Sequence, residues 1–346
     1  MLTGLHIQNF RQFRDFKVEG LKRFNLIVGD NGVGKSALLE AVWLLVNEQT
    51  PDIILDILAL RNEIWAIGID ANGQGGLARS PFSTLTTWPP PDHASELCFT
   101  IGYVKDESTA ILINLGEMPE PLTVTLDVRN FRSGSVRMRV KRGGATAHTL
   151  DVASQQQPQR QAQLKREDNI LIPASGLTQD TIQSFWDRIT LTEAEDDIDQ
   201  ALQLLDPTIQ RVSLTSTGPV VKLKGAPAPV PLRRLGEGMG RLFALALGMV
   251  NAKGGVMLID EIETGLHRDT QARMWPFLFT LARRLNVQLF ATTHSWDCIA
   301  TFAEAAKETP DEVALVRLER FEDDIRAVRY DEGELLVASA QGIEVR

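Results

Sequence analysis

The sequence predicts an α/β protein: a mixed, largely parallel sheet with flanking helices, interrupted by an inserted antiparallel β lobe and short helices. Three observations carry this expectation. Near the N-terminus an apolar strand runs through a glycine-rich loop into an apolar helix, in the order FNLIVG, DNGVGK, SALLEAVWLLVN. Beyond Leu232 helical and apolar strand segments alternate (GMGRLFALALGMVNA, GVMLIDE, RDTQARMWPFLFTLARRL, VQLFATTHS), the pattern of parallel strands covered on both faces. Between these halves, the segments ELCFTIGY, AILINL, LTVTLDV and SVRMRV are short, β-branched and separated by turn residues, which indicates antiparallel strands.

Taken in order, LHIQNF reads as a strand, a hairpin turn follows, and FKVEGLKRFNLIVG reads as the strand that runs into the glycine loop. From Ile53 to Ala78 the pattern is mixed and yields no element. The polar stretch SQQQPQRQAQ, 154–163, has no face to pack and reads as a connector. After it come a strand (NILIP), helical stretches over Thr178–Ile189 and Glu193–Leu205, and two strands (IQRVSL, VVKLK) that end at the proline-rich GAPAPVP. A hairpin-like tail, VALVRLER with IRAVRY, completes the chain, and neither an internal repeat nor a long heptad run is found. The expected organisation is 1–80 as the first half of a core, 81–230 as the inserted lobe with its helical segment, and 231–346 as the second half.

Composition narrows the class more than the function. The 346 residues exceed the usual single-domain size of about 100 to 150, and 43% hydrophobic with 23% charged residues is ordinary for a globular protein. The longest apolar run, Leu242–Val250, falls far short of the roughly 20 residues that span a bilayer. The N-terminus lacks the features of a secretory signal, and Cys98 and Cys298 have no metal-like spacing, so a cytoplasmic protein without membrane contact is expected. A net charge of -9 argues against a surface coated for nucleic acid; Arg137, Arg139 and Lys141, on one face of a predicted strand, form the candidate local patch for DNA.

Four motifs carry chemistry. Gly29, Asp30, Asn31, Gly32, Val33, Gly34, Lys35 and Ser36 match GxxxxGK[ST] between a strand and a helix, with Ala37 following in the helix start. Such a loop turns backbone N–H groups onto phosphates, with Lys35 reaching the β- and γ-phosphates of ATP and Ser36 holding Mg²⁺. In GVMLIDE, four apolar residues deliver Asp260 and Glu261 to a strand end, where Asp260 suits Mg²⁺ and Glu261 suits activation of the attacking water. VQLFATTHS delivers His294 to the end of another strand, as a contact for the γ-phosphate. LGEGMGRL places Gly236, Glu237 and Gly238 in a glycine-rich loop that opens an apolar helix about 20 residues before Asp260, where helix N–H groups can meet a phosphate.

With IQNFRQF at 7–13 and LIDEIETGLH at Leu258–His267, these motifs resemble the RecF, SMC and OLD group of ABC-type ATPases, often described as AAA family ATPases. The resemblance covers both ends of the chain and skips the middle. It implies an ATP-hydrolysing homodimer or higher homo-oligomer in which the loop at Gly236, Glu237 and Gly238 meets nucleotide on the other subunit. It also implies that Arg11 approaches the phosphates, that ETGLH is the D-loop region, and that Gln74 is the candidate Q-loop glutamine at the metal. Against the transporter pattern LSGGQ, this chain has Gly236 for serine and Met239 for glutamine, which speaks against a transporter engine. About 50 residues follow His294, too few for a TOPRIM nuclease domain of the OLD kind, and the coiled-coil arms of SMC proteins are replaced by the β lobe. The expected function is a stand-alone ATPase switch serving a separately encoded effector, as in bacterial anti-phage systems; the alternative is a RecF-like DNA repair or DNA-sensing ATPase.

Overall fold

The structure, a computed structural model, describes residues 1–47, 50–61, 63, 85, 96–102, 122–127, 135–142, 145–153, 163–166, 168–236, 238–322, 324–330 and 334. In chain order the elements are β1 (Gly4–Phe10), β2 (Phe13–Glu19), β3 (Phe24–Val28), α1 (Lys35–Val46), α2 (Thr50–Leu60), β4 (Glu96–Gly102), β5 (Leu122–Asp127), β6 (Ser135–Arg142) and β7 (Ala145–Ala153). There follow β8 (Lys165–Arg166), β9 (Asn169–Ile172), α3 (Gln179–Ile189), α4 (Glu193–Leu205), β10 (Ile209–Thr215), β11 (Gly218–Leu223), β12 (Val230–Pro231) and α5 (Gly238–Asn251). The chain continues through β13 (Val256–Ile259), α6 (Arg268–Leu285), β14 (Gln288–Thr292), α7 (Trp296–Ala306), β15 (Val313–Phe321) and β16 (Asp324–Tyr330). These fall into two compact units, one built on 1–21, 30–163 and 317–329, the other on 22–29, 164–316 and 330–346.

The first unit contains a six-stranded sheet in the order β2-β1-β4-β5-β6-β7, antiparallel throughout. The predicted strands of the β lobe are thus paired onto the N-terminal hairpin through β1 and β4, and AILINL lies outside the described residues. Alternation explains the hairpin: Phe13, Phe16 and Val18 of β2 are buried while Arg14, Asp15, Lys17 and Glu19 are exposed. α1 packs against β1 and β4, and its apolar residues, Trp43 included, are buried along nearly its whole length. α2 occupies part of the stretch that gave no element in sequence; Ile53, Ile54, Ile57 and Leu58 line one buried face at helical spacing.

The second unit holds the largely parallel sheet, within the strand order β16-β15-β3-β14-β13-β9-β8. β3, β14, β13 and β9 are parallel neighbours, and β8 joins antiparallel at the edge. β3 (FNLIV) and β14 (QLFAT) are buried at every position, as strands covered on both faces must be. α5, apolar around most of its circumference, packs against α3, α4, α6 and β9. Gly248 permits this approach: a Cβ there would lie 2.9 Å from Met257 Cε and 3.0 Å from Ile172 Cδ1. Phe24 stacks on Phe279 at 4.2 Å between centroids, and Trp275 meets Phe302 edge-on at 4.8 Å, which anchors α6 and α7. No helix among the described residues is long and apolar enough to cross a membrane.

The turn into β13 leaves no room for a side chain. A Cβ on Gly255 would sit 1.9 Å from the carbonyl oxygen of Asp168, a backbone atom fixed by the neighbouring β9. Gly255→Ala should therefore destabilise the protein by about 1–3 kcal/mol through overpacking, read as a lower urea midpoint at unchanged slope.

Candidate nucleotide site

The glycine loop begins where β3 ends at Val28. Gly29, Gly32 and Gly34 adopt φ of +140°, +74° and +113°, conformations that side chains resist, so the spacing of the glycines is a backbone requirement. Gly34 is the left-handed N-cap of α1 and offers no side-chain cap, which leaves the helix start presenting backbone N–H groups. The ammonium of Lys35 is buried within the loop and donates to the Asp30 carbonyl at 2.9 Å. Ser36 and Ala37 follow in the first turn of α1. Gln12 closes over the loop, its Nε2 being 2.7 Å from where a Gly34 Cβ would stand.

Arg11, at φ +54° in the turn between β1 and β2, is held through its backbone N–H to the Leu85 carbonyl at 2.9 Å. Its guanidinium, expected at the phosphates, is buried against carboxylates: Nε donates to Glu40 at 3.0 Å and Nη1 to both oxygens of Glu63 at 2.9 and 2.8 Å. Arg61 also donates to Glu40. A buried guanidinium requires such counter-charges, and here they tie the turn to the helix that carries the phosphate loop. Burial pushes the Glu40 carboxyl above the usual carboxylate range, while Arg11 and Arg61 pull the other way.

In the second unit, the carboxylate residues follow the C-terminal ends of β13 and β14. The register pairs Ile259 with Ala291 and Thr292 with Ile27, so β3, β14 and β13 end at one edge of their sheet. Thr292, fully buried, accepts from the Glu261 backbone N–H at 2.8 Å and donates to Asp260 Oδ1 at 2.6 Å. One hydroxyl thus orders both carboxylate-bearing residues. Glu261 takes φ +45°, an uncommon conformation for a side-chain-bearing residue, and its side chain is 41% exposed. His294 Nδ1 lies 3.8 Å from Glu261 Oε1 and 3.4 Å from Glu263 Oε1. Asp260, Glu261 and His294 are therefore brought together, and Thr292 and Glu263 join them without having been singled out in the sequence.

In the same unit, α5 opens at Gly238, whose missing side chain admits Thr270 Cγ2 at 2.8 Å and Leu266 Cδ2 at 3.3 Å from the Cβ position. Gly236, at φ +125°, is exposed, with open space where a Cβ would point. Glu237 and Gln74 lie outside the described residues. In the backbone register of the sheet, Arg137 of β6 pairs with Asp127 of β5 and Asp151 of β7.

Because Thr292 serves two partners from a dry position, Thr292→Val should cost about 1–3 kcal/mol of stability by leaving polar groups unsatisfied. Turnover of ATP should fall with it, whereas Thr292→Ser should stay near wild type; denaturation and phosphate-release assays measure both.

The family model for the AAA ATPase domain matches residues 1–75 and 146–299, which include the phosphate loop, the carboxylate pair and His294. A Helicobacter pylori protein described as an ATP/GTP phosphatase is 22% identical over 333 residues, covering 89% of each chain. An uncharacterized protein of Methanocaldococcus jannaschii is 43% identical over 47 residues, 14% of this chain and 22% of its own. Among solved structures, the SMC head domain from Thermotoga maritima superposes with a TM-score of 0.51 at 15% identity, over 95% of this chain and 99% of that one. An SMC head bound to the C-terminal winged-helix domain of ScpA gives 0.52 at 16% identity, over 95% and 98%. The chain belongs to the AAA ATPase domain family and is an ATPase, with the fold seen in SMC heads.

Proposed function

We propose that this ATPase is a nucleotide-driven switch in which two copies close around ATP, hydrolysis reopens them, and the change controls a separately encoded effector in the cytoplasm. The observation that carries the reading is the exposed glycine turn at Gly236 opening the buried helix α5 at Gly238. Backbone N–H groups at such a helix start suit a phosphate, and the family resemblance assigns that phosphate to a second copy. A phosphate gripped by both copies favours closure, and its cleavage removes the difference in affinity that held them. Solved SMC heads of this fold carry a ScpA domain, which supports a protein partner here. Action in anti-phage defence is part of the same proposal.

The residues divide the work by their chemistry. Gly29 to Ala37 cradle the phosphates with backbone N–H groups, and Lys35 supplies a positive charge to them. Ser36 and Asp260 offer the oxygen donors that a hard divalent cation takes. Among the described residues no three His, Cys, Asp or Glu side chains form a cage, in keeping with Mg²⁺ sites that use few protein ligands beside phosphate and water. Bound there, Mg²⁺ would neutralise charge on the phosphates. Glu261 acts as base toward the attacking water, and its positive φ is the kind of strain that persists where function holds a side chain in place. His294 meets the γ-phosphate.

Lys35→Ala should lower turnover by at least about a hundredfold, the scale of losing one preorganised electrostatic contact, with little change in folding. Wild-type ATP affinity and turnover in a folded variant would remove the phosphate-loop assignment. Glu261→Gln keeps shape and loses the base, so with ATP and Mg²⁺ the closed pair should accumulate, and with ADP it should not. Crosslinking between cysteines placed at Ser36 of one copy and Gly238 of another reads this directly. Normal hydrolysis by Glu261→Gln, or no ATP-dependent crosslink, contradicts the switch.

A further inference from the structure

We propose that Glu263 is a positioning residue for ATP hydrolysis: it holds His294 at the end of β14 and orients its ring. The inference rests on the reading above that His294 meets the γ-phosphate. Glu263 is 8% exposed, two residues beyond the proposed base, and belongs to neither the phosphate loop nor the carboxylate pair. Its Oε1 accepts from the backbone N–H of His294 at 3.1 Å and lies 3.4 Å from Nδ1 of the same residue. One carboxylate oxygen therefore addresses both the main chain and the ring of a single histidine.

Burying a carboxylate is costly, and a purely structural site would be expected to satisfy both of its oxygens. Glu263 Oε2 is buried and has no hydrogen-bond partner among the described residues. The backbone tie alone does not require a charge, because a neutral amide oxygen accepts from N–H equally well. The carboxylate charge adds something for the ring: accepting from Nδ1–H, it favours a ring protonated on both nitrogens, which leaves Nε2–H to donate to a phosphate oxygen. Arg241, in the first turns of α5, has its Nε and Nη2 atoms buried and interacts favourably with the charge of Glu263. Glu261 lies on the same side of the ring but is far more exposed, at 41% against 9% for the side chain of Glu263. Glu261 is thus placed to work at water and Glu263 to hold the histidine.

The test compares Glu263→Gln, His294→Ala and the double variant in the full chain, by kcat, KM for ATP and thermal midpoint. Glutamine preserves the acceptor for the backbone N–H and removes the charge. Glu263→Gln should lower kcat by about tenfold, the scale on which a carboxylate tunes the histidine it orients, with KM changed less than about twofold. In the His294→Ala background the same change should have no further effect, because the coupling runs through the ring. If the two losses multiply, or if kcat falls only together with the thermal midpoint, Glu263 is a structural anchor and the inference fails. A slow His294→Ala protein beside a fully active Glu263→Gln protein leaves the role of His294 intact and removes that of Glu263. A fully active His294→Ala protein removes the reading of His294 and this inference with it. Should Glu263→Gln fail to fold, ¹⁵N spectra of the wild-type imidazoles decide, with His294 identified by its loss in His294→Ala. A proton on Nδ1 of His294 is expected, and a bare Nδ1 overturns the proposal.

Discussion

The arrangement depends on a constraint of buried parallel sheets: strands covered on both faces can carry polar side chains only where they end. β3, β14 and β13 are mainly apolar, with the buried polar residues Asn25 and Gln288 toward the starts of β3 and β14, and they stop at one edge of their sheet. The carboxylates and the histidine of the second unit are gathered there. Asp260 and Glu261 follow β13 directly, Thr292 closes β14, and His294 stands two residues on. The Thr292 hydroxyl joins these ends, giving to Asp260 and receiving from the Glu261 N–H, so the position of Glu261 is set by the neighbouring strand as much as by its own.

Backbone conformation supplies the second ordering principle. Glycines occupy the left-handed positions of the phosphate loop, where they cost least, whereas Glu261 and Arg11 hold positive φ with full side chains. In each case hydrogen bonds over-determine the strained residue: Thr292 for Glu261, and Leu85, Glu40 and Glu63 for Arg11. Strain of this kind survives only where the surroundings leave no alternative.

Much of this was legible before any coordinates. The phosphate loop, the strand ending in Asp260 and Glu261, and the helix opened by Gly238 are local patterns in which neighbours in sequence are neighbours in space. α7 also carries a signal, Ser295 as cap before Ile299, Phe302, Ala303 and Ala306 at helical spacing, although the sequence reading assigns no element there. Thr292 and Glu263 could not be found that way. Their partners are 31 residues distant along the chain, and only the pairing of β13 with β14 brings them together. Arg11 shows the converse: the motif that marks it is local, yet its counter-charges Glu40 and Glu63 come from positions 29 and 52 residues away.

The buried ion pairs of the first unit differ from those on the protein's exterior in how they respond to ionic strength. The side chains of Arg11 and Glu40 are 4% and 9% exposed, so dissolved ions cannot come between them, while Lys307 and Glu304, at 47% and 72%, sit within a screened layer about 8 Å deep at physiological salt. The turn that anchors α1 is therefore insulated from the medium. Salt dependence in nucleotide binding will report the long-range field felt by an arriving polyphosphate, because the scaffold of the loop that receives it keeps its own charges out of solution.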